Sequence, residues 1–300
     1  MKRVVSVSLG SSKRDHNVET EILGQKFAIE RRGTDGDMGK AIAMIKELDG
    51  QVDAFGLGGT DLYVYAGNRR YVLRDAKRIV EAAKITPVVD GSGLKNTLER
   101  RVVSYLAEQQ GIQFKDKKVL VVSAVDRFGM AEALVDTGAA VVFGDLIFVL
   151  GLPIPIRSLA TIGVIARLLM PVVSQVPFAW LYPTGERQEI ILSKHEKYYQ
   201  EADIIAGDFH LIRRYLPDVL KGKTILTNTV TPADIDLLRQ RGIATLVTTT
   251  PELNGRSFGT NVMEGVLVSL MGKKPEQIAV DEYIQLLDQM GWQPRIEKLN

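Results

Sequence analysis

The chain contains no cysteine among its 300 residues. That absence excludes disulfides, thiolate nucleophiles and zinc sites built on sulfur, and it suits a reducing compartment. Histidine is nearly as scarce. His16, His195 and His210 are too few and too scattered for an imidazole metal cluster, so no metal ligand is assigned, although Mg²⁺ held by carboxylates stays open. The net charge is only +2, which gives no field of the kind that nucleic-acid binding needs. No Gly-x-x-x-x-Gly-Lys-Ser/Thr run occurs, which removes the ordinary P-loop. An uninterrupted apolar run of about 20 residues, the length of a bilayer span, is missing too. The stretch 146–183 comes nearest, but Arg157, Arg167 and five prolines break it. It reads as a buried helix pair or a subunit interface, which makes a homodimer the expectation. The short apolar stretch after Met1 alternates with serine and reads as a first strand, not a signal peptide. The chain is therefore expected to be cytoplasmic, with neither membrane nor nucleic acid as partner.

What is present is the mixture of a globular protein, 45% hydrophobic and 25% charged. At roughly 100–200 residues per domain the length suits two domains. Strand-like runs at 3–9, 26–31, 52–56 and 86–89 alternate with helical stretches at 37–48 and 74–84, and a long helix over 93–110 follows. A second series begins with the unbroken apolar run Lys118–Ser123, of the kind buried on both faces of a sheet. It continues with strands at 139–143, 203–206, 223–227 and 244–248. Helices are expected at 127–137, 260–271 and 275–290. This order predicts an α/β fold of two Rossmann-like lobes, with parallel sheets around an interdomain cleft. The division reads as an N-terminal substrate-binding lobe over 1–110, a nucleotide-binding lobe over 111–272, and a closing segment, 273–300, packed back on the first lobe.

Several loops at strand ends carry candidate chemistry. Gly58, Gly59, Thr60 and Asp61 close a glycine-rich turn, which either lets a ligand approach the backbone or makes a tight turn with none. Asp90 opens the segment Asp90-Gly91-Ser92-Gly93, with Lys95 one turn on. The two suit proton transfer at a substrate hydroxyl, or an N-cap and a flexible turn. The turn Ser123–Gly129 joins a buried strand to a helix, where backbone amides and the helix end receive phosphate. Ser123, Val125, Asp126, Arg127 and Gly129 are its candidate cofactor contacts; a plain strand–helix turn is the alternative. Asp145 ends the next strand, where an acidic residue either accepts from a ribose diol or caps a helix. The polar stretch 248–261 adds Thr249 on the cofactor side and Arg256 and Asn261 on the substrate side, Arg256 as anion partner. The bland reading there is a solvated loop before a capped helix.

The segment Val88-Val89-Asp90-Gly91-Ser92-Gly93-Leu94, the long helix, and then KDKKVLVVSAVDRFGMAEALVDTGAAVVFGDL resemble the shikimate/quinate dehydrogenase family over about 60 residues, in order and spacing. The resemblance implies a two-domain dehydrogenase with its substrate in the interdomain cleft, and Asp90 matches the family's substrate-binding and catalytic aspartate. Where that family carries Gly-x-Gly-Gly, this chain has Ser123-Ala124-Val125-Asp126, and the family's Asn-Val-Thr segment with its lysine has no counterpart. The expectation is an NAD(P)-dependent oxidoreductase, NAD ahead of NADP because of Asp145. It would act on a small anionic substrate, a hydroxylated carboxylic acid. The alternative is a non-catalytic or sensory protein that keeps the frame and binds a nucleotide or metabolite.

Overall fold

The computed structural model describes residues 1–66, 69–177, 190–192, 194–250, 252–253, 256–257 and 259–300. Two sheets carry the chain. The first runs β2 (His16–Ile22), β3 (Gln25–Gly33), β1 (Lys2–Ser8), β4 (Ala54–Gly58), β7 (Val88–Val89); β1, β3, β4 and β7 are parallel, and β2 is antiparallel to β3. A separate hairpin, β5 (Tyr63–Ala66) and β6 (Arg69–Val72), rises after β4. The second sheet runs β15 (Arg295–Lys298), β12 (Thr245–Thr248), β11 (Thr224–Thr227), β10 (Ile204–Ala206), β8 (Lys118–Val121), β9 (Ala140–Phe143). All of it is parallel except β15, which pairs antiparallel with β12. Among the described residues, no helix is long and apolar enough to cross a membrane.

The strand patterns explain the layers. Along β8 successive side chains point to opposite faces. Val119 and Val121 join a core with Leu98, Val102 and Leu106 of helix α3 (Ser92–Glu108) and Leu134 of α4 (Phe128–Asp136). Leu120 and Val122 join another with Tyr199, Phe209 and Leu220. A strand buried on both faces needs apolar residues at successive positions, as Val119 to Val122 supply after the exposed Lys118. In β1 the same alternation sends Val5 and Val7 toward Ile45 and Ile79, and Val4 toward Phe27, Ile29, Val262 and Val266.

Two helices exchange roles relative to the sequence expectation. Helix α3 follows the first lobe in the chain, yet its apolar stripe packs on the second sheet. The return to the first lobe is made not by the closing segment 273–300 but by the helix Thr260–Met271, whose Val262 and Val266 cover β1 and β3 while Met263, Leu267 and Val268 face the other core. A helix apolar on all sides is suited to burial between two layers. Gly265 lets it approach: a Cβ there would lie 2.9 Å from Val4 Cγ1. The closing segment instead adds Tyr283 and Leu287 to the α3 core and β15 to the second sheet. In the apolar region 146–183, helix α5 (Leu159–Val173) buries Ile162, Ala166 and Met170 and exposes Val164, Leu168 and Val172. In place of the expected pair of helices the described residues hold a single π-helical turn, Asp145–Val149, and the one α-helix α5, and 178–189 lie outside them.

Candidate functional site

Both chain crossings between the sheets sit side by side. Gly91, at φ +91°, starts α3 so close to the second crossing that a Cβ would meet the Asn261 amide nitrogen at 2.8 Å. Glycine alone tolerates that conformation and that approach. Beside this junction lies a cavity of about 490 Å³, walled by the loop after β4, the first turns of α3 and α4, and residues 264–283.

Asp90 organises one wall. Its Oδ2 accepts hydrogen bonds from the amides of Leu62 (2.7 Å) and Tyr63 (2.9 Å), and its Oδ1 accepts from the Ser92 amide (3.0 Å). The carboxylate expected to take a substrate proton is thus an anchor that hangs the 61–63 loop on the start of α3. That anchoring carries Asp61 to Lys95, whose ammonium lies 3.2 Å from Asp61 and 2.6 Å from Asp126. Lys95 is paired with these two aspartates, one from each lobe, not with Asp90. Burial pushes the Asp61 carboxyl up to about 7, the negative charge of Asp126 adds to the rise, and Lys95 opposes it. Burial also works against the Asp126 carboxylate, but Lys95 and Arg127 hold it below the usual range. Burial and Arg127 oppose the Lys95 charge, and Asp126, Asp61 and Glu99 outweigh them. Two carboxyls beside one ammonium therefore share a proton that moves near neutral pH.

Arg127 extends the network into the second lobe. Its guanidinium is 3% exposed, forms an ion pair with Glu99 one turn beyond Lys95 on α3, and reaches Asp208 at 3.1 Å and Asp126 at 3.4 Å. With every partner internal, Arg127 is not poised to receive a cofactor phosphate. Asp208 in turn accepts from Asn228 at 3.0 Å and caps the Phe209–Arg214 helix through the His210 amide. His210 is half-buried against Arg14, whose guanidinium lies 3.1 Å from Nδ1. Burial first, and then that guanidinium, lower it to about 4, so the imidazole is neutral at physiological pH.

The turn after β8 tests the expected dinucleotide. Asp145 does not face outward to a ribose. Its carboxylate accepts the amides of Ala124 and Val125, each at 3.0 Å, and the Ser123 hydroxyl at 3.4 Å. Burial raises the pKa of Asp145 even though these donors pull the other way. An internal carboxylate thus stands where a pyrophosphate would be received, so Ser123, Val125 and Asp145 serve each other, and the residues present do not fit a dinucleotide at this turn. Gly129 lies buried in α4 and lines the cavity with Val125 and Asp126. Thr249 is fully buried; its amide donates to Thr227 O, and its hydroxyl has no partner.

The substrate-side candidates also divide. A Cβ on Gly59, at φ +73°, would meet the Gly10 amide nitrogen at 2.7 Å, and one on Gly58 would meet Ser8 at 3.0 Å. The glycines admit the neighbouring loop of the same lobe rather than a ligand. Thr60 is buried, and its hydroxyl donates to Asp61 O at 3.3 Å. Asn261 donates to the Ser6 hydroxyl at 2.9 Å and ties the second crossing to β1. The side chain of Arg256 lies outside the described residues, and its backbone forms β14 (Arg256–Ser257) with β13 (Glu252–Leu253). The site also holds two groups that sequence reasoning passed over. Glu264 lines the cavity, 3% exposed, and its Oε1 accepts from the Tyr283 hydroxyl at 3.1 Å. Burial pushes Glu264 up to about 8, and Asp90 adds to the rise. Its signal was available: it is the lone charge in the apolar run of 260–271. Glu99 had a weaker one, four residues after Lys95 on the same helical face.

A two-lobed α/β protein with a charged cavity at its crossings is the class that fold and site define. The chain belongs to the family described as "Domain of unknown function (DUF8754)", whose model matches residues 93–299; the model "Domain of unknown function (DUF8753)" matches residues 3–90. The two meet at the start of α3, where the chain leaves the first sheet. No curated protein matches the chain. Among solved structures it is similar to an NAD-dependent malic enzyme from Thermotoga maritima (14% identity, 96% of this chain and 84% of that one, TM-score 0.35). It is also similar to L-tryptophan dehydrogenase from Nostoc punctiforme (12%, 97% and 79%, 0.37) and to GanP, a glucose-galactose binding protein from Geobacillus stearothermophilus (10%, 99% and 97%, 0.37). The architecture itself stands on the sheet order given above.

Proposed function

We propose that the chain is an enzyme that acts by proton transfer on a small polar molecule held in the cavity between its crossings. One observation carries the reading: at the cavity wall the Lys95 ammonium is held between Asp61, 3.2 Å away, and Asp126, 2.6 Å away, and burial pushes the Asp61 carboxyl up to about 7. Lys95 donates to a substrate oxygen and stabilises negative charge developing there. The Asp61–Asp126 pair takes the proton that leaves the substrate and returns it to product or water. Arg127, Glu99 and Asp90 position these groups. The test is untargeted mass spectrometry of a metabolite extract incubated with the protein or with Lys95→Met. A metabolite consumed by the wild type and spared roughly 10²–10⁴-fold by the variant supports the reading. Identical profiles for both proteins sink it.

A second reading follows from the resemblance to shikimate/quinate dehydrogenases: an NAD(P)-dependent oxidoreductase of a small hydroxylated carboxylic acid. A lysine–carboxylate group favours it, because a hydroxyl loses a proton as its carbon loses hydride. Against it stands Asp145 on the amides that a pyrophosphate needs. Titration with NAD and NADP decides: saturable binding of either supports an oxidoreductase. A co-purifying metabolite with no turnover would instead favour the non-catalytic binding protein. The homodimer belongs with these proposals. Val164, Leu168 and Val172 recur every fourth residue on α5 and leave an exposed apolar stripe, and light scattering at micromolar concentration tests it.

A further inference from the structure

We infer that this cavity takes an organic cation, a small molecule bearing an ammonium group, in place of the carboxylic acid expected from the sequence. The inference rests on the reading of the same cavity as the substrate site. Six carboxylic side chains line it, Asp90, Glu99, Asp126, Glu132, Glu264 and Glu276, against three cations, Arg70, Lys95 and Arg100; with Glu264 pushed up to about 8 and so protonated at neutral pH, five carboxylates still outnumber the three cations. Those cations are engaged. Lys95 lies between Asp61 and Asp126, and Arg100 forms an ion pair with Glu132. The Arg70 guanidinium stands over the Tyr63 ring, 4.3 Å from its centre. An entering carboxylate would therefore meet excess negative charge, and of the three cations only Arg70, on the exposed rim, is not already held by a carboxylate.

An ammonium group meets the opposite conditions. Tyr63, Phe128 and Tyr283 line the cavity, and aromatic faces attract cations, as Arg70 on Tyr63 already illustrates. Glu264 is almost fully buried at the wall. The amides of Gly91 and Gly93 face it and its Oε2 closes no hydrogen bond, so an ammonium bound beside it would meet a carboxyl group able to give up its proton and take the negative charge. Glu276 supplies further negative charge at the exposed rim. Carboxylate oxygens and aromatic rings together form the surroundings that ammonium groups prefer.

The experiment is a ligand titration followed through backbone amide signals, with two matched series that keep shape and change charge. One is choline, 3,3-dimethylbutan-1-ol and 3,3-dimethylbutanoate; the other is glucosamine, glucose and glucuronate. The ammonium member of at least one series is expected to shift the signals of Ser92, Gly93 and Gly129, and to bind roughly tenfold tighter than its uncharged partner. Glu276→Gln should weaken that member several-fold and leave the uncharged one alone. Tighter binding by the carboxylates, equal binding by charged and uncharged members, or no binding by either series overturns the inference. If any of these appears while Lys95→Met still abolishes turnover of an extract metabolite, the cation inference fails and the proton-transfer reading stands. Ammonium binding with no metabolite turned over upholds the cation inference and removes the proton-transfer reading.

Discussion

Replacing Glu264 by glutamine should make the protein more stable in alkali, a gain that comes from removing a charge. The carboxyl lies between α3 and the 260–271 helix, 3% exposed, and burial pushes it from 4.5 up to about 8. A folded-state pKa above the unfolded value means that the folded form binds the proton more tightly. The group's stabilising contribution is therefore complete below about pH 4.5 and is lost as pH rises to about 8. At roughly 1.4 kcal/mol per pKa unit the loss across that window is ~3–5 kcal/mol, the lower figure allowing for relaxation around the ionised group. Glutamine keeps the shape and an oxygen to accept from the Tyr283 hydroxyl, and it cannot ionise. Urea unfolding at pH 5 and pH 9 should show the two proteins within ~1 kcal/mol at pH 5 and the Glu264→Gln variant ahead by ~3–5 kcal/mol at pH 9. Asp61 titrates in both proteins, so its slope cancels in the comparison. A difference that is the same at both pH values would refute the reasoning, because it would mean that Glu264 is already ionised, or already protonated, throughout.

Other consequences can be checked separately. Asp145→Ala leaves the buried amides of Ala124 and Val125 without an acceptor, and at about 1–3 kcal/mol per orphaned group it should cost ~2–6 kcal/mol in urea unfolding; a loss under 1 kcal/mol would mean that water or another group serves those amides. In carbon-detected NMR an aspartate carboxyl absent from Asp61→Asn should titrate near pH 7, and Lys95→Met, which removes the opposing ammonium, should move it higher. No aspartate resonance titrating between pH 6 and 8 would contradict the shared proton. Gly265→Ala pushes a methyl to 2.9 Å from Val4 Cγ1 in a packed interface and should lose ~1–2 kcal/mol despite alanine's better helix propensity. If the contact is the cause, Val4→Ala in the same chain should recover part of that loss.

The fold was legible wherever burial demanded a pattern. Lys118–Val121 read as a strand because both its faces are covered, so apolar residues follow one another, and Lys2–Ser8 because its valines alternate with serine. His16–Ile22 and Arg295–Lys298 did not, because each is an edge strand with polar residues on its open side: of the first only Val18 is buried, and the second reads Arg-Ile-Glu-Lys. The destination of the 260–271 helix was hidden for another reason. Its apolar character announces burial, but periodicity cannot say which sheet receives it.

The site was legible residue by residue and illegible as a set of pairings. Lys95, Asp61, Asp126 and Arg127 all stood out, because charges and glycines at strand ends mark the edge where α/β proteins bind ligands. What joins them is set by a loop hung on Asp90, and no local pattern records that a carboxylate will accept three backbone amides. Asp145 makes the limit sharper. An acidic residue closing the second strand of such a lobe serves equally well to hold a ribose or to satisfy the amides of the preceding turn, and both roles demand the same side chain at the same spacing. The distinguishing signal lay in the turn itself. Glycines there leave amides exposed for a pyrophosphate, whereas Ser123-Ala124-Val125 brings side chains that keep a ligand away, and amides kept from a ligand and from water must find an internal acceptor. The missing glycines and the inward Asp145 are therefore two halves of one arrangement: a turn that closes on itself and leaves the chemistry to the cavity beside Lys95.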